Sequence, residues 1–177
     1  MGTDPEQVDR LVLDEATLSA VDFLLASTEP AIRYLTRRDV LAEPEPEDGA
    51  SILEGPKVRA LLAGQRPDGG FGVHPYSKWT GAHWRLVSLV ELAVPAGEPR
   101  AVAAAGTVLD WLTGDRHRRS VKEIDGLTRR CASQEGNALA VCCRLGLAAD
   151  QQVELLARSL AEWQWPDGGW NCDVQAS

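Results

Sequence analysis

The sequence predicts an all-α fold built from repeated helical hairpins. Apolar residues recur at three- to four-residue spacing along most of the chain, the period of one helix face. Glycine and proline divide those stretches into helix-sized pieces, and no alternating strand of useful length stands between them. A seven-residue turn motif also occurs twice, 99 residues apart, each time at the end of a predicted helix.

The elements follow in order. Leu18, Val21, Leu24 and Leu25 mark a first helix. Pro30 suits the first turn of a second, over about 30–42, with Ile32, Leu35, Val40 and Leu41 on its face. The run Glu43-Pro44-Glu45-Pro46-Glu47-Asp48-Gly49 ends it as a mobile surface loop. Pro56 to Gly64 is a short third helix, with Val58, Leu61 and Leu62 apolar. A loop rich in Gly and Pro covers 65–80. Gly81 to Leu92 is the fourth helix, with Leu86, Leu89, Val90 and Ala93 on one side, and Pro99 to Leu112 is the fifth. Residues 113–135 read as irregular. Asn137 to Leu147 and Asp150 to Trp163 are the sixth and seventh, Asp150 being a natural N-cap. Residues 164–177 are again loop-like.

Composition excludes several functions. The 177 residues carry a net charge of −8, which argues against a basic surface for nucleic-acid phosphates. No apolar run approaches the roughly 20 residues of a membrane span. The segment MGTDPEQVDR is acidic and lacks the apolar region of a secretory signal. Charge is uneven: residues 1–55 hold 13 acidic side chains against 4 arginines. Arg116, Arg118, Arg119, Arg129 and Arg130 gather in the irregular stretch, either as a solvated loop that complements the acidic part or as an anion site. Cys131, Cys142, Cys143 and Cys172 have neither CxxC nor disulfide-framework spacing, which indicates reduced thiols and a cytoplasmic setting.

The two motif copies are Gln65-Arg66-Pro67-Asp68-Gly69-Gly70-Phe71 and Gln164-Trp165-Pro166-Asp167-Gly168-Gly169-Trp170. Arg59 and Leu61 before the first match Arg158 and Leu160 before the second. Trp111-Leu112-Thr113-Gly114-Asp115 lies between as a degenerate copy, so the period is about 50 residues with two helices per repeat. The chemistry is that of a turn. Proline fixes φ, aspartate bonds its own downstream backbone, and the glycines accept positive φ. Glutamine is long enough to reach unpaired backbone groups at a neighbouring helix end, and the aromatic seals the junction. The motif is therefore a fastener between helical pairs.

A Q-x-P-D-G-G-aromatic turn repeated at this period resembles the QW repeat of squalene and oxidosqualene cyclases, with relatives in protein prenyltransferase β subunits. The likeness covers about residues 30–171. It implies part of an α/α toroid, an inner helical ring inside an outer one. Carried over, the helices at about 56–64, 99–112 and 150–163 are outer. Those at about 30–42, 81–93 and 136–147 are inner and line an apolar cavity. The implied activity is that of a cyclase-like or prenyltransferase-like protein binding an isoprenoid or other apolar ligand. The alternative is a non-catalytic binding or assembly module, or a fragment of a longer cyclase-like protein.

The sequence departs from the family pattern in two ways. No D-x-D-D proton donor is present; Glu123-Ile124-Asp125-Gly126 and Cys172-Asp173 do not match it. Asp125, Cys131, His83 and Cys172 do not repeat the zinc-ligand spacing of prenyltransferases, so no metal and no cofactor is assigned. At about 50 residues per pair the chain supplies about three and a half pairs of a ring that needs several more. It is expected to be one incomplete toroid-like domain, a segment of a longer protein or a partial ring completed by another copy or a second chain.

Within this frame the candidate cavity-lining residues are Tyr34, Arg37, His83, Trp84, Cys131, Glu135 and Asn137. His83 and Trp84 are either a pocket wall, for proton transfer and aromatic contact, or internal packing. Cys131 and Glu135 are a nucleophile and an acid/base, or a loop thiol and a helix-start charge, with Ser133 or Asn137 as cap. Arg37 meets an anionic headgroup or pairs with Asp39 or another acid. His74, just after the first motif, is a pocket-mouth or a turn residue. Asp68 and Asp167 have only turn roles.

Overall fold

The computed structural model describes residues 15–44 and 46–170. They are mostly helical, with one small two-stranded sheet. The helices are α1 (Glu15–Leu25), α2 (Pro30–Leu35), α3 (Pro56–Leu62), α4 (Ala82–Glu91), α5 (Pro99–Thr113), α6 (Asp115–Arg118), α7 (Ser133–Arg144) and α8 (Gln151–Glu162). The strands are β1 (Lys122–Ile124) and β2 (Leu127–Arg129).

The predicted helix starts have identifiable causes. Proline occupies the first turn of α2, α3 and α5, where its missing N–H costs nothing. Glu98 caps α5 through the Ala101 N–H, and Asp150 caps α8 through the Gln152 N–H at 2.7 Å. α4 and α7 both close with a left-handed residue, Ala93 (φ 57°) and Gly146 (φ 82°). Val94 and Leu147 then donate back to the Leu89 and Cys142 carbonyls, which satisfies the last turns.

α5 is the central helix. It packs against α4, α7 and α8, while α4 also contacts α7, and α7 contacts α8. Its buried face is largely small: Ala101, Ala104, Ala105, Val108, Leu109 and Leu112. Small residues let the α4 and α7 backbones come close on either side. Leu86 and Leu89 of α4, Val141 and Cys142 of α7, and Val153 and Leu156 of α8 complete this core. On α1 only Val21 of the predicted apolar stripe is buried; Leu18 is half exposed.

Three stretches differ from expectation. The second helix is α-helical only to Leu35, then widens to a π turn over Thr36–Val40, closed by Leu41 N–H on the Thr36 carbonyl. The acidic loop is shorter than expected, because a 3₁₀ segment runs over Glu47–Glu54 and packs on α2. Arg33 Nη2 and Arg37 Nε bind Asp48 at 2.6 and 3.3 Å and hold that segment down. The stretch 113–135 contains α6 and the β1–β2 hairpin. Asp125 (φ 53°) and Gly126 (φ 72°) form its two-residue turn, the Asp-Gly pairing that left-handed hairpin turns favour.

Among the described residues no helix is long and apolar enough to cross a membrane.

Candidate functional site

Both motif copies fold alike. In the first, Arg66 N–H donates to the Gly70 carbonyl (2.8 Å) and Gly69 N–H to the Arg66 carbonyl (2.9 Å). Asp68 Oδ1 accepts from Gly70 N–H (2.9 Å), and Gln65 Nε2 donates to the Gly69 carbonyl (3.0 Å). In the second, Trp165 N–H binds Gly169, Gly168 N–H binds Trp165, and Gly169 N–H binds Asp167 Oδ1, each at 2.9 Å. Gln164 Nε2 reaches the Gly168 carbonyl at 2.7 Å. Gly69 and Gly168 have φ of 83° and 87°.

The aromatics finish the junctions differently. Phe71 lies beneath the Arg85 guanidinium (4.3 Å), and Arg85 Nη1 donates to the Leu61 carbonyl at the end of α3 (2.6 Å). Trp170 does this alone at the matching position, its indole Nε1 donating to the Leu160 carbonyl (2.8 Å). Trp165 Nε1 donates to the Thr128 carbonyl (2.8 Å) and stacks under Arg129, docking the hairpin on the second turn.

The loop after the first motif places a row of rings at the start of α4. Gly81 is needed there: a Cβ would collide with the Pro75 carbonyl. His83 N–H donates to that same carbonyl (3.0 Å). Tyr76 then touches His83, Trp84 and Trp111, with centroids 5.0, 5.7 and 5.5 Å away. Trp79 stacks on Trp84 (5.5 Å) and His74 stands edge-on to Trp111 (5.0 Å). The row is exposed at both ends, at Trp79 and His74, and half-buried between. Trp79 adopts φ 65°, unusual for a bulky side chain. A cleft of about 560 Å³ opens at the His74 end, lined by Asp110, Trp111, Arg116, His117 and Ser120 among others.

His117 belongs to a buried charged network. Its Nε2 lies 2.8 Å from Glu135 Oε1, and its ring is edge-on to Trp111 at 4.8 Å. Arg130 Nε donates to the same carboxylate oxygen (2.9 Å), its Nη2 donates to Gln134 Oε1 (2.8 Å), and the guanidinium abuts His117. Burial by itself would raise the Glu135 pKa. The His117 hydrogen bond and the Arg130 charge outweigh it and hold the carboxyl below its ordinary value. Glu135 Oε2 is buried without a described partner. His83 sits beside this network, its Nε2 donating to the Gln134 carbonyl (3.0 Å) while Nδ1 is buried and unpartnered among the described residues. Burial lowers the His83 pKa, opposed in part by that carbonyl and by the Glu135 charge.

The structure therefore gathers His83, Trp84 and Glu135 around one centre. His83 and Glu135 are fully buried and Trp84 half-buried. Cys131 and Asn137 are also half-buried. The Cys131 thiol meets the Ser133 hydroxyl at 3.1 Å, whereas Glu135 takes Arg130 and His117 as its partners. Tyr34 and Arg37 lie elsewhere, on α2 and on the π turn that follows it. Tyr34 is stacked by Arg38, and Arg37 pairs with Glu43 (3.4 Å) and Asp48. Cys172 is outside the described residues.

His117 escapes sequence reasoning because its partner is 18 residues away and the run Asp115-Arg-His-Arg-Arg reads as solvated. Arg130, grouped with the surface arginines, is instead buried against Glu135. Its spacing of five from Glu135, across a helix start, was the available signal. Among the described residues no three His, Cys, Asp or Glu side chains gather to hold a metal ion. No protein-family model, curated protein or solved structure significantly matches the chain.

Proposed function

We propose that the chain is a helical-repeat module of the terpenoid cyclase and protein prenyltransferase type, and that it binds an apolar, isoprenoid-class ligand along the ring row at the start of α4. The carrying observation is that row: Trp79, Trp84, Tyr76, Trp111 and His74 in successive contact, open at both ends and continuous with a cleft. A flexible polyene laid on such rings removes apolar area from water on both partners. The two similarly bonded Gln-x-Pro-Asp-Gly-Gly turns support the architecture. The buried Glu135–Arg130–His117 network has the role of fixing Trp111, and through it the row, in place.

Titration of intrinsic tryptophan fluorescence with farnesol and geranylgeraniol tests this. Saturable quenching is expected, weakened about tenfold by Trp79→Ala, which removes an exposed anchor without opening the core. Farnesyl diphosphate, as a second arm, should bind no tighter than farnesol. Absence of saturable quenching by either alcohol would refute the proposal.

A further inference from the structure

We propose that copies of this chain join head to tail, the Gln164–Trp170 turn of one copy seating on the exposed face of α3 in the next. The template for that contact is inside the molecule. The Gln65–Phe71 turn seats on α5, where Gln65 Nε2 donates to the Arg100 carbonyl at 2.7 Å and Gly69 lies against Ala103, so closely that a Cβ would collide with its carbonyl. Arg100 reaches back to Gln65 Oε1 (3.3 Å) and to the Leu62 carbonyl at the end of α3. At the next junction Gln152 does likewise, its Nε2 donating to Thr113 Oγ1 (2.9 Å) and Asp110 Oδ1 (3.2 Å) at the end of α5. In α5 and α8, then, the second helical residue reaches the end of the helix one repeat earlier, α3 and α5 respectively.

α3 carries the same pattern, but among the described residues its second residue reaches no earlier helix end. Pro56-Lys57-Val58-Arg59-Ala60 matches Pro99-Arg100-Ala101-Val102-Ala103: proline first, a long basic side chain second, alanine fifth. Pro56, Lys57 and Ala60 are exposed, and the Lys57 ammonium has no described partner. The second turn is the complementary half. Gln164 makes the internal bond to Gly168 but, among the described residues, lacks the onward bond that Gln65 makes to Arg100. Gly168 is exposed where Gly69 is buried, and a Cβ on it would meet no described atom within 4 Å. Trp170 is 44% exposed. Seated together, Lys57 would donate to Gln164 Oε1 and to the Ala161 carbonyl, which corresponds to that of Leu62. Gly168 would lie beside Ala60.

A head-to-tail contact uses two different surfaces, so copies close into a ring or extend. Sedimentation equilibrium of the whole chain across the micromolar range tests this, independently of any ligand. Concentration-dependent dimers or larger species are expected. Lys57→Glu should weaken association about tenfold, and Ala60→Arg should abolish it sterically. Gln164→Lys added to Lys57→Glu should restore association, because it gives the introduced carboxylate a cationic partner. Circular dichroism and melting temperature, unchanged for the exposed Lys57 and Ala60 variants, separate loss of contact from loss of fold. A monomer at every concentration would overturn the proposal. So would association indifferent to both α3 substitutions.

Discussion

Substituting Gln65 and Gln164 by alanine, one at a time, tests the fastener directly. Both residues follow a helix end, so helix propensity does not enter. Gln65→Ala removes donations to the Gly69 and Arg100 carbonyls, at 3.0 and 2.7 Å, and the acceptor of Arg100 Nε. Each of the two donations contributes about 1 kcal/mol net, so the loss is about 2 kcal/mol. For a chain of this size that lowers the melting temperature by about 4–8 °C. Gln164→Ala removes one bond from an exposed amide, at the low end of the range, about 0.5 kcal/mol or 1–2 °C. The assay is thermal unfolding by far-ultraviolet circular dichroism in dilute solution, where copies do not meet, with urea unfolding as a second measure. Equal losses, or a larger loss at Gln164, would refute the assignment of Gln65 as the bond between helical pairs.

The glycines of the same turns should diverge further. Gly69→Ala meets both a left-handed backbone and the Ala103 carbonyl, whereas Gly168→Ala meets only the backbone penalty of about 1 kcal/mol, so urea unfolding should show Gly69→Ala clearly the worse. Acid should destabilise the fold in two steps. His83 has its pKa lowered, so protons favour the unfolded chain as pH falls below the ordinary 6.5; Glu135 is lowered as well, so its contribution is lost as pH falls below the ordinary 4.5 and through its folded value. Melting temperatures between pH 7 and 5 should fall, and His83→Asn should flatten that slope; a slope that His83→Asn leaves unchanged would exclude His83 as its source. The neighbouring thiols should differ in reactivity. Burial pushes Cys142 up to about 12, while Cys143 is exposed, so maleimide mapping by mass spectrometry at pH 8 should label Cys143 in the native protein and Cys142 only after unfolding.

What could be read from the sequence was what is decided locally. Pro30, Pro56 and Pro99 announce helix starts because proline suits only the first turn. The Pro-Asp-Gly-Gly turns fold as their residues dictate. The β1–β2 hairpin escaped although Asp125-Gly126 is a hairpin turn, because three-residue strands are too short to alternate. The 3₁₀ segment at Glu47 was hidden by the acidic proline run, and what orders it, Asp48 against Arg33 and Arg37, is a pairing with α2 and the π turn on the far side of that run. The candidate site was legible in part. His83, Trp84 and Glu135 were singled out, but His117 and Arg130 join them only because α5 and α7 pack together and bring their flanking segments with them.

At the first fastener the side chains of Gln65, Arg85 and Arg100 all donate to main-chain carbonyls, those of Leu61, Leu62, Gly69 and Arg100. A carbonyl is present whatever residue carries it. The side chains of the joined helices can therefore be exchanged, within limits of size and polarity, while the joint survives. Identity between repeats can erode along the helices and persist only at the turn. In this chain likeness is visible at two short stretches 99 residues apart and is faint between them. A protein jointed in this way can drift far from any common ancestor in sequence without changing how its helices stack.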